Sequence, residues 1–424
     1  MTNWKNLLKA MGPGILFAST AIGVSHLVQS TKAGAEFGFG LLWAILLANI
    51  FKYPFFEYGS RYANATGKSI IDGYLKLGKW ALWLYFIITI TSMFFVCAAV
   101  GKVTSGFMEN LFGLNHQLYW PLTTTAIVLG VCGTILISGR YSLLDSLIKI
   151  IGIVLLISTL IAFTLTLFNG PLPKTATFIE VDPWGATGMA FLIPLMGWMP
   201  TAVDLSTWNS LWTIERMKQT GYRPKLKETL FDFNFGYIVS ALLSVCFVTM
   251  GAYMIYGTGI TMPKASDQFA GRVVGLYTEV IGSWSYIIIA AATFSIMFGT
   301  CIAVFDGYGR ALKRSTELLF SQKQIINNTT STTNRYPIFI AILILGTFLL
   351  IWAFEGTGDF GILVNIATII SFLIAPVIAI FNFILVQKKY IDESATPPLW
   401  MNILSYLGIL FLTGFSIYYL VSLF

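Results

Sequence analysis

The sequence predicts an all-α polytopic membrane protein: one transmembrane domain over residues 1–424 with eleven spanning helices, the first and sixth of them broken. Three observations lead there. Hydrophobic residues make up 56% of the chain and charged residues 11%, and the mean hydropathy is +0.76. A soluble protein of that composition would expose more apolar surface than its polar residues could cover. Eleven apolar windows reach the length of about 20 residues that a helix needs to cross a hydrocarbon core of roughly 30 Å. They lie near 12–31, 40–63, 80–101, 119–138, 144–168, 185–209, 231–256, 283–308, 336–354, 361–386 and 399–422. Finally, two windows five apart carry helix-breaking residues at matching depth.

Span one reads GILFASTAIGVSHLVQS over residues 14–30, with Ser19, Thr20, Gly23, Ser25 and His26 in its centre. Gly12, Pro13 and Gly14 open it, and Gly23 lowers the cost of unwinding its middle. Its length and its lack of a small-residue cleavage site read as a retained span rather than a removable signal. Span two holds Lys52, Pro54 and Glu57; Lys52 is expected to snorkel toward the surface marked by Arg61. Span three, WALWLYFIITITSMFFVCAAVG over 80–101, contains no carboxylate. Spans four and five are the windows at 119–138 and 144–168. Span six, LIPLMGWMPTAVDLSTW over 192–208, is interrupted by Pro194, Gly197 and Pro200. Proline removes a backbone donor and clashes with the preceding turn, so this helix should break near the bilayer midplane.

Span seven leads into an outer stretch, 257–282, where Phe269, Val273, Val274, Tyr277 and Val280 recur near helical spacing. We read an amphipathic surface helix there. Span eight ends at Asp306 and Arg310, whose i,i+4 spacing reads as a helix pair rather than a gate. NNTTSTTN (327–334) is a polar low-complexity connection before span nine, and its predicted inner location argues against glycosylation at Asn327 or Asn328. Span ten offers Asn365, Thr368 and Ser371, either as polar contacts to a central site or as single interhelical hydrogen bonds. Span eleven closes the chain.

Backbone groups freed by a break cannot face lipid unsatisfied, so broken segments line a cavity or lie buried in protein. Breaks in the first and sixth spans make them the leading members of two five-helix halves, approximately 10–170 and 180–390, with 399–422 as an additional helix. That is the organisation of an inverted-repeat transporter whose small substrate binds between the breaks.

Charge sets the orientation. With the N-terminus cytoplasmic, inner segments hold 20 Lys and Arg, from Lys5 and Lys9 to Lys388 and Lys389, and outer segments hold five: Lys32, Lys102, Lys174, Lys264 and Arg272. This obeys the positive-inside rule, places the protein in the cytoplasmic membrane and puts Phe424 outside. The net charge of +7 is thereby absorbed into inner loops, leaving no nucleic-acid footprint. Cys97, Cys132, Cys246 and Cys301 all fall inside spans and read as small buried apolar residues. No HExxH or Walker motif occurs and His116 lies in an outer loop, so the chain reads as a non-enzyme without a cofactor. Oligomeric state is not legible.

Several stretches together resemble the Nramp family of divalent-metal transporters. They are GPG (12–14) opening span one, KAGAEFGFGLLWAILLANI (32–50), TGKS (66–69), GRYSLLDSLIKIIGIV (139–154) and MP (199–200) at the break of span six. The resemblance covers roughly residues 10–390 and implies a LeuT-like five-plus-five fold. It also implies a substrate site, and there the chain departs from the family. The family's Asp-Pro-Gly-Asn at the first break corresponds to Gly23, Val24, Ser25 and His26. Its Met-Pro-His-Asn at the second corresponds to Met199, Pro200, Thr201 and Ala202, and its second histidine on that half-helix to Ser206. The metal-binding carboxylate is replaced by glycine, and the soft thioether is kept.

The residues expected to line the site are Gly23, Ser25, His26, Met199, Thr201 and Asp204, with His26 and Met199 as candidate metal ligands. A histidine or carboxylate at membrane depth is costly and usually functional. His26 is either a ligand or proton acceptor, or a structural group bonded to freed carbonyls. Asp204 either serves the site or caps the second half-helix, and Trp198 either walls the site or fills the core. A divalent metal ion is the substrate implied by the resemblance. The alternatives are a transporter of a small organic solute with no metal binding, and a non-transporting Nramp-like membrane sensor. Without acids on span three, proton coupling by the family's route is not expected.

Overall fold

The computed structural model describes residues 7, 9–114, 122–139, 141–320 and 335–422, the side chains of 141–151 excepted. His116, Arg140, Asn327 and Asn328 lie outside the described residues. The described chain is helical almost throughout, and each of the eleven apolar windows falls on a helix or on a divided pair. Span one is α1 (Pro13–Ala21), a π-helical stretch (Ile22–Ser30) and α2 (Thr31–Phe37). Span two is α3 (Leu42–Thr66). A short helix α4 (Ile70–Leu77) follows, then α5 (Lys79–Phe112), α6 (Thr123–Ser138) and α7 (Tyr141–Asn169). Span six is α8 (Ala186–Gly197) and α9 (Leu205–Thr220). The rest is α10 (Leu226–Met254), α11 (Ser266–Ile281), α12 (Tyr286–Phe320), α13 (Tyr336–Phe354), α14 (Phe360–Leu385) and α15 (Leu399–Ser422).

Among the described residues, seven helices are by themselves long and apolar enough to cross a bilayer. The other windows fall short for local reasons. α3 carries Lys52, Glu57 and Arg61, spans one and six are divided, and α6 is short. The amphipathic stretch forms α11 as expected, but it is no loose surface helix. Phe269, Val273, Val274 and Tyr277 are fully buried against α5, α7 and α12.

The first break is compact. The only non-helical residue inside Ile22–Ser30 is Gly23 (φ −66°, ψ −123°). Around it the widened turns leave carbonyls to side-chain donors: Ser30 Oγ reaches Ser25 O at 3.3 Å and Thr31 Oγ1 reaches His26 O at 3.4 Å. The second break is longer, residues 198–204, and includes a cis Met199–Pro200 bond.

Span one is held against α10 by direct backbone approach. A Cβ on Gly14 would lie 2.0 Å from Asp232 O, one on Gly34 2.1 Å from Val248 O, one on Gly236 2.0 Å from Gly14 O, and one on Gly251 2.4 Å from Thr31 O. Small residues allow this closeness, which drives helix association where lipid offers no hydrophobic gain. At the top of this seam Asp232 accepts hydrogen bonds from Gly12 N at 3.1 Å and Gly14 N at 2.6 Å. A carboxylate there satisfies the orphan donors of α1 and meets the positive end of its dipole.

Candidate functional site

The two breaks face each other across a small cavity of about 20 Å³, room for roughly one water-sized occupant. Its polar lining consists of hydroxyls, from Thr20 and Ser25 on span one, Thr201 on span six and Thr300 on α12. The indoles of Trp198 and Trp208 form its walls, and Val24, Val96, Val100, Ala202, Leu205 and Val304 complete it. Trp198 is fixed there because its Nε1 donates to Ser371 Oγ of α14 at 2.8 Å, so Ser371 serves the site through an indole. Thr300 is likewise fixed, donating to Ser19 O at 2.8 Å.

Of the six expected site residues, Ser25 and Thr201 line this cavity. Gly23 adjoins it: a Cβ there would lie 2.5 Å from Thr300 Oγ1 and 2.7 Å from Thr300 Cγ2. The other three point elsewhere. His26 is wholly buried, with Nε2 2.8 Å from Ser240 O and 3.2 Å from Ser240 Oγ on α10, and Nδ1 2.8 Å from Ser25 Oγ. Since a carbonyl can only accept, Nε2 carries the proton, and Nδ1 meets the Ser25 hydroxyl, which also donates to Ala21 O. In this conformation both ring nitrogens are spoken for, the arrangement of a structural histidine. Met199 is also buried, its Sδ 4.0 Å from Ser30 Oγ.

Asp204 occupies the residue before α9 but makes no side-chain cap. Its Oδ2 accepts from Tyr308 OH at 3.4 Å, and Oδ1 has no partner among the described residues. The capping alternative therefore fails, and Asp204 stands as a buried carboxylate beside the site. Ser206 accepts instead of ligating, from Asn382 Nδ2 at 2.8 Å. Among the described residues no three His, Cys, Asp or Glu gather into a metal cluster.

Lys52 overturns its expectation. It does not snorkel: the residue is 0% exposed, and Nζ donates to Met196 O at 2.5 Å, Gly197 O at 2.9 Å and Thr201 O at 3.4 Å. Arg61, which marks the inner end, pairs with Glu57 at 2.5 Å and reaches Ala395 O at 2.7 Å. The i,i+4 spacing of Glu57 and Arg61 was the available signal. It uses up the carboxylate of span two and leaves Lys52 to find oxygen on another helix.

Asp306 is also more than half of a helix pair. It receives Arg310 Nε at 2.8 Å, Trp212 Nε1 at 3.0 Å and Tyr336 OH at 2.6 Å, joining α12 to α9 and α13.

An all-helical membrane protein, broken in two spans five apart around a small central cavity, has the architecture of an inverted-repeat transporter. Solved structures agree on the fold. A manganese transporter of Eremococcus coleocola, in complex with an aromatic bis-isothiourea substituted compound, superposes with a TM-score of 0.70 at 14% identity, over 97% of this chain and 86% of that one. Mhp1, a nucleobase-cation-symport-1 family transporter in a closed conformation, gives 0.56 at 14% identity, over 98% and 93%. The family model described as natural resistance-associated macrophage protein-like (Nramp) matches residues 14–422, and the chain belongs to the Nramp family.

An uncharacterized protein of Pasteurella multocida, PM0681, is 34% identical over 421 residues, covering 99% of this chain and 93% of that protein. Metal transporter Nramp6 of Arabidopsis thaliana is 22% identical over 303 residues, 68% of this chain and 55% of its own length. The divalent metal cation transporter MntH of Latilactobacillus sakei is 22% identical over 316 residues, 70% and 64% respectively. The chain thus spans about half the length of the plant relative and just under two thirds of the bacterial one.

Proposed function

We propose that the protein is a secondary transporter of the cytoplasmic membrane, moving a small substrate by alternating access around the two breaks. In this reading the repeats run over approximately 10–170 and 180–390, the helix at 399–422 is an addition, and the N-terminus is cytoplasmic. The observation that carries the reading is the small cavity bounded by both broken spans and lined by buried residues. Ser25 and Thr201 supply hydroxyls to it, and Gly23 keeps the wall thin against Thr300. Met199, Asp204 and His26 are buried nearby but do not line the cavity.

The substrate to test first is a divalent metal ion, because relatives are named as manganese and divalent-metal transporters. Against a standard metal site stands the donor set. A dication leaving water wants several oxygen or nitrogen ligands, and hard ions want carboxylates, whereas this cavity offers hydroxyls, with a thioether behind them. Calorimetry of the purified protein with manganese, iron, cadmium and magnesium, paired with uptake into liposomes, tests it. Saturable binding and uptake of one ion support the metal reading. Binding of none, with no uptake, overturns it.

The indoles of Trp198 and Trp208 and the lack of a carboxylate on the cavity wall favour a second reading, a small organic solute. Its signature is liposome uptake of such a solute that chelators leave unchanged. Uptake of any substrate removes the sensor alternative.

A further inference from the structure

The ammonium of Lys52 is the least expected group at the centre of the molecule. It is fully buried, and the three oxygens it touches all belong to the interruption of span six. Met196 and Gly197 end α8, and Thr201 lies within the break. The C-terminal end of a helix carries a partial negative charge, and its last carbonyls lack intrahelical donors. Carbonyls of this kind, at the ends of half-helices, hold coupling cations in transporters built on broken helices. Here a covalently attached cation sits on them. Among the described residues no carboxylate comes within 4.0 Å of Nζ. The nearby acidic charge is Asp204, and the Phe372 ring lies on another side, its centroid 6.0 Å away. The carbonyls therefore do most of the work of compensating the charge.

We propose that Lys52 is a tethered cation. Its ammonium fills a carbonyl cradle at the break of span six that is built for a free monovalent cation, and it does so permanently, so that this cradle takes up no coupling ion. The chemical class of ligand follows from the geometry. A single positive charge with hydrogen-bond donors or a small radius fits, such as ammonium or an alkali ion; a bulky quaternary ammonium does not. The bound charge also bridges the break, joining the end of α8 to the segment that leads into α9. The inference does not depend on what is transported, and its test needs no transport.

Replacing Lys52 by alanine keeps the cradle and removes its occupant. The purified full-length Lys52→Ala protein is compared with the parent by thermal unfolding in chloride salts of ammonium, potassium, sodium and choline at one ionic strength. The parent midpoint should be the same in all four. The variant should be lowered in choline and raised by ammonium, or by one of the alkali ions, by roughly 2–4 °C, saturating in the millimolar range. A folded Lys52→Ala protein with no difference between choline and the small cations overturns the proposal. Should alanine yield no folded protein in any salt, Lys52→Gln decides, since it keeps donor hydrogens and most of the volume but loses the charge. A glutamine variant with the parent's midpoint overturns the tethered cation, because ordinary hydrogen bonding then suffices. One lowered by several degrees upholds it.

Discussion

Sequence resemblance sets Gly23 at the position of the family's metal-binding aspartate, and the wall behind it explains why a side chain there is difficult. An alanine Cβ would fall 2.5 Å from Thr300 Oγ1 and 2.7 Å from Thr300 Cγ2. Ordinary van der Waals contact begins near 3.4 Å, so Thr300 must move, and moving it breaks its 2.8 Å hydrogen bond to Ser19 O. Overpacking of this kind costs about 1–3 kcal/mol, and no helix-propensity gain offsets it because Gly23 is not helical. Gly23→Ala should therefore lose about 1–3 kcal/mol. Thr300→Ala by itself should cost about 1 kcal/mol for the lost hydrogen bond, while making the room that Gly23→Ala needs. The double variant should then be less destabilised than the sum of the singles by about 1–2 kcal/mol. Reversible unfolding in mixed micelles, followed by tryptophan fluorescence on all four proteins, gives the cycle. Additivity within about 0.5 kcal/mol would mean that the two side chains do not compete for space, and the account of Gly23 would be wrong. The result also bears on metal binding: Gly23→Asp is a fair attempt to restore a carboxylate only in the Thr300→Ala background.

Three further outcomes are expected. Arg61→Met leaves Glu57 buried without its partner and should lose about 3–5 kcal/mol, whereas Glu57→Gln with Arg61→Met should recover much of that; equal losses in the two proteins would show that the ion pair is not what matters. Gly197→Ala places a Cβ 2.1 Å from Thr368 O, a backbone atom that no rotamer change can relieve, and should abolish folded protein on size-exclusion chromatography. Gly67→Ala is the control: the position is open but has φ +68°, and it should cost only about 1–2 kcal/mol.

Much of the fold was legible because its causes are local. Apolar runs of membrane length, the proline and glycine residues of span six and the small residues of span one each act within their own segment. The site was less legible, because what a buried polar side chain does depends on the helix opposite. His26 and Ser240 are 214 positions apart, and nothing in span one announces the Ser240 carbonyl. Lys52 was misjudged for the same reason: the carbonyls that hold it become acceptors only once span six breaks beside α3. Asp204 was read as a possible cap from its place before α9, but Tyr308 on α12 draws its carboxylate sideways. Thr300, which shapes the cavity, lies in a span whose sequence looks like ordinary apolar helix, and Trp208 lies on the half of span six beyond the break, where no single residue type marks it.

The glycine seam between span one and α10 constrains how the molecule can change shape. Four notches, at Gly14, Gly34, Gly236 and Gly251, each receive a backbone atom of the facing helix. A slide of one helix along the other by even a single residue would set side chains where only hydrogen atoms fit. The two helices are thus keyed together like a splined shaft, and His26, bonded to Ser240 across the same contact, is one more pin in it. Any motion that opens the cavity must carry span one and α10 as one piece, leaving the flexing to the break of span six and the contacts that Thr300 makes from α12.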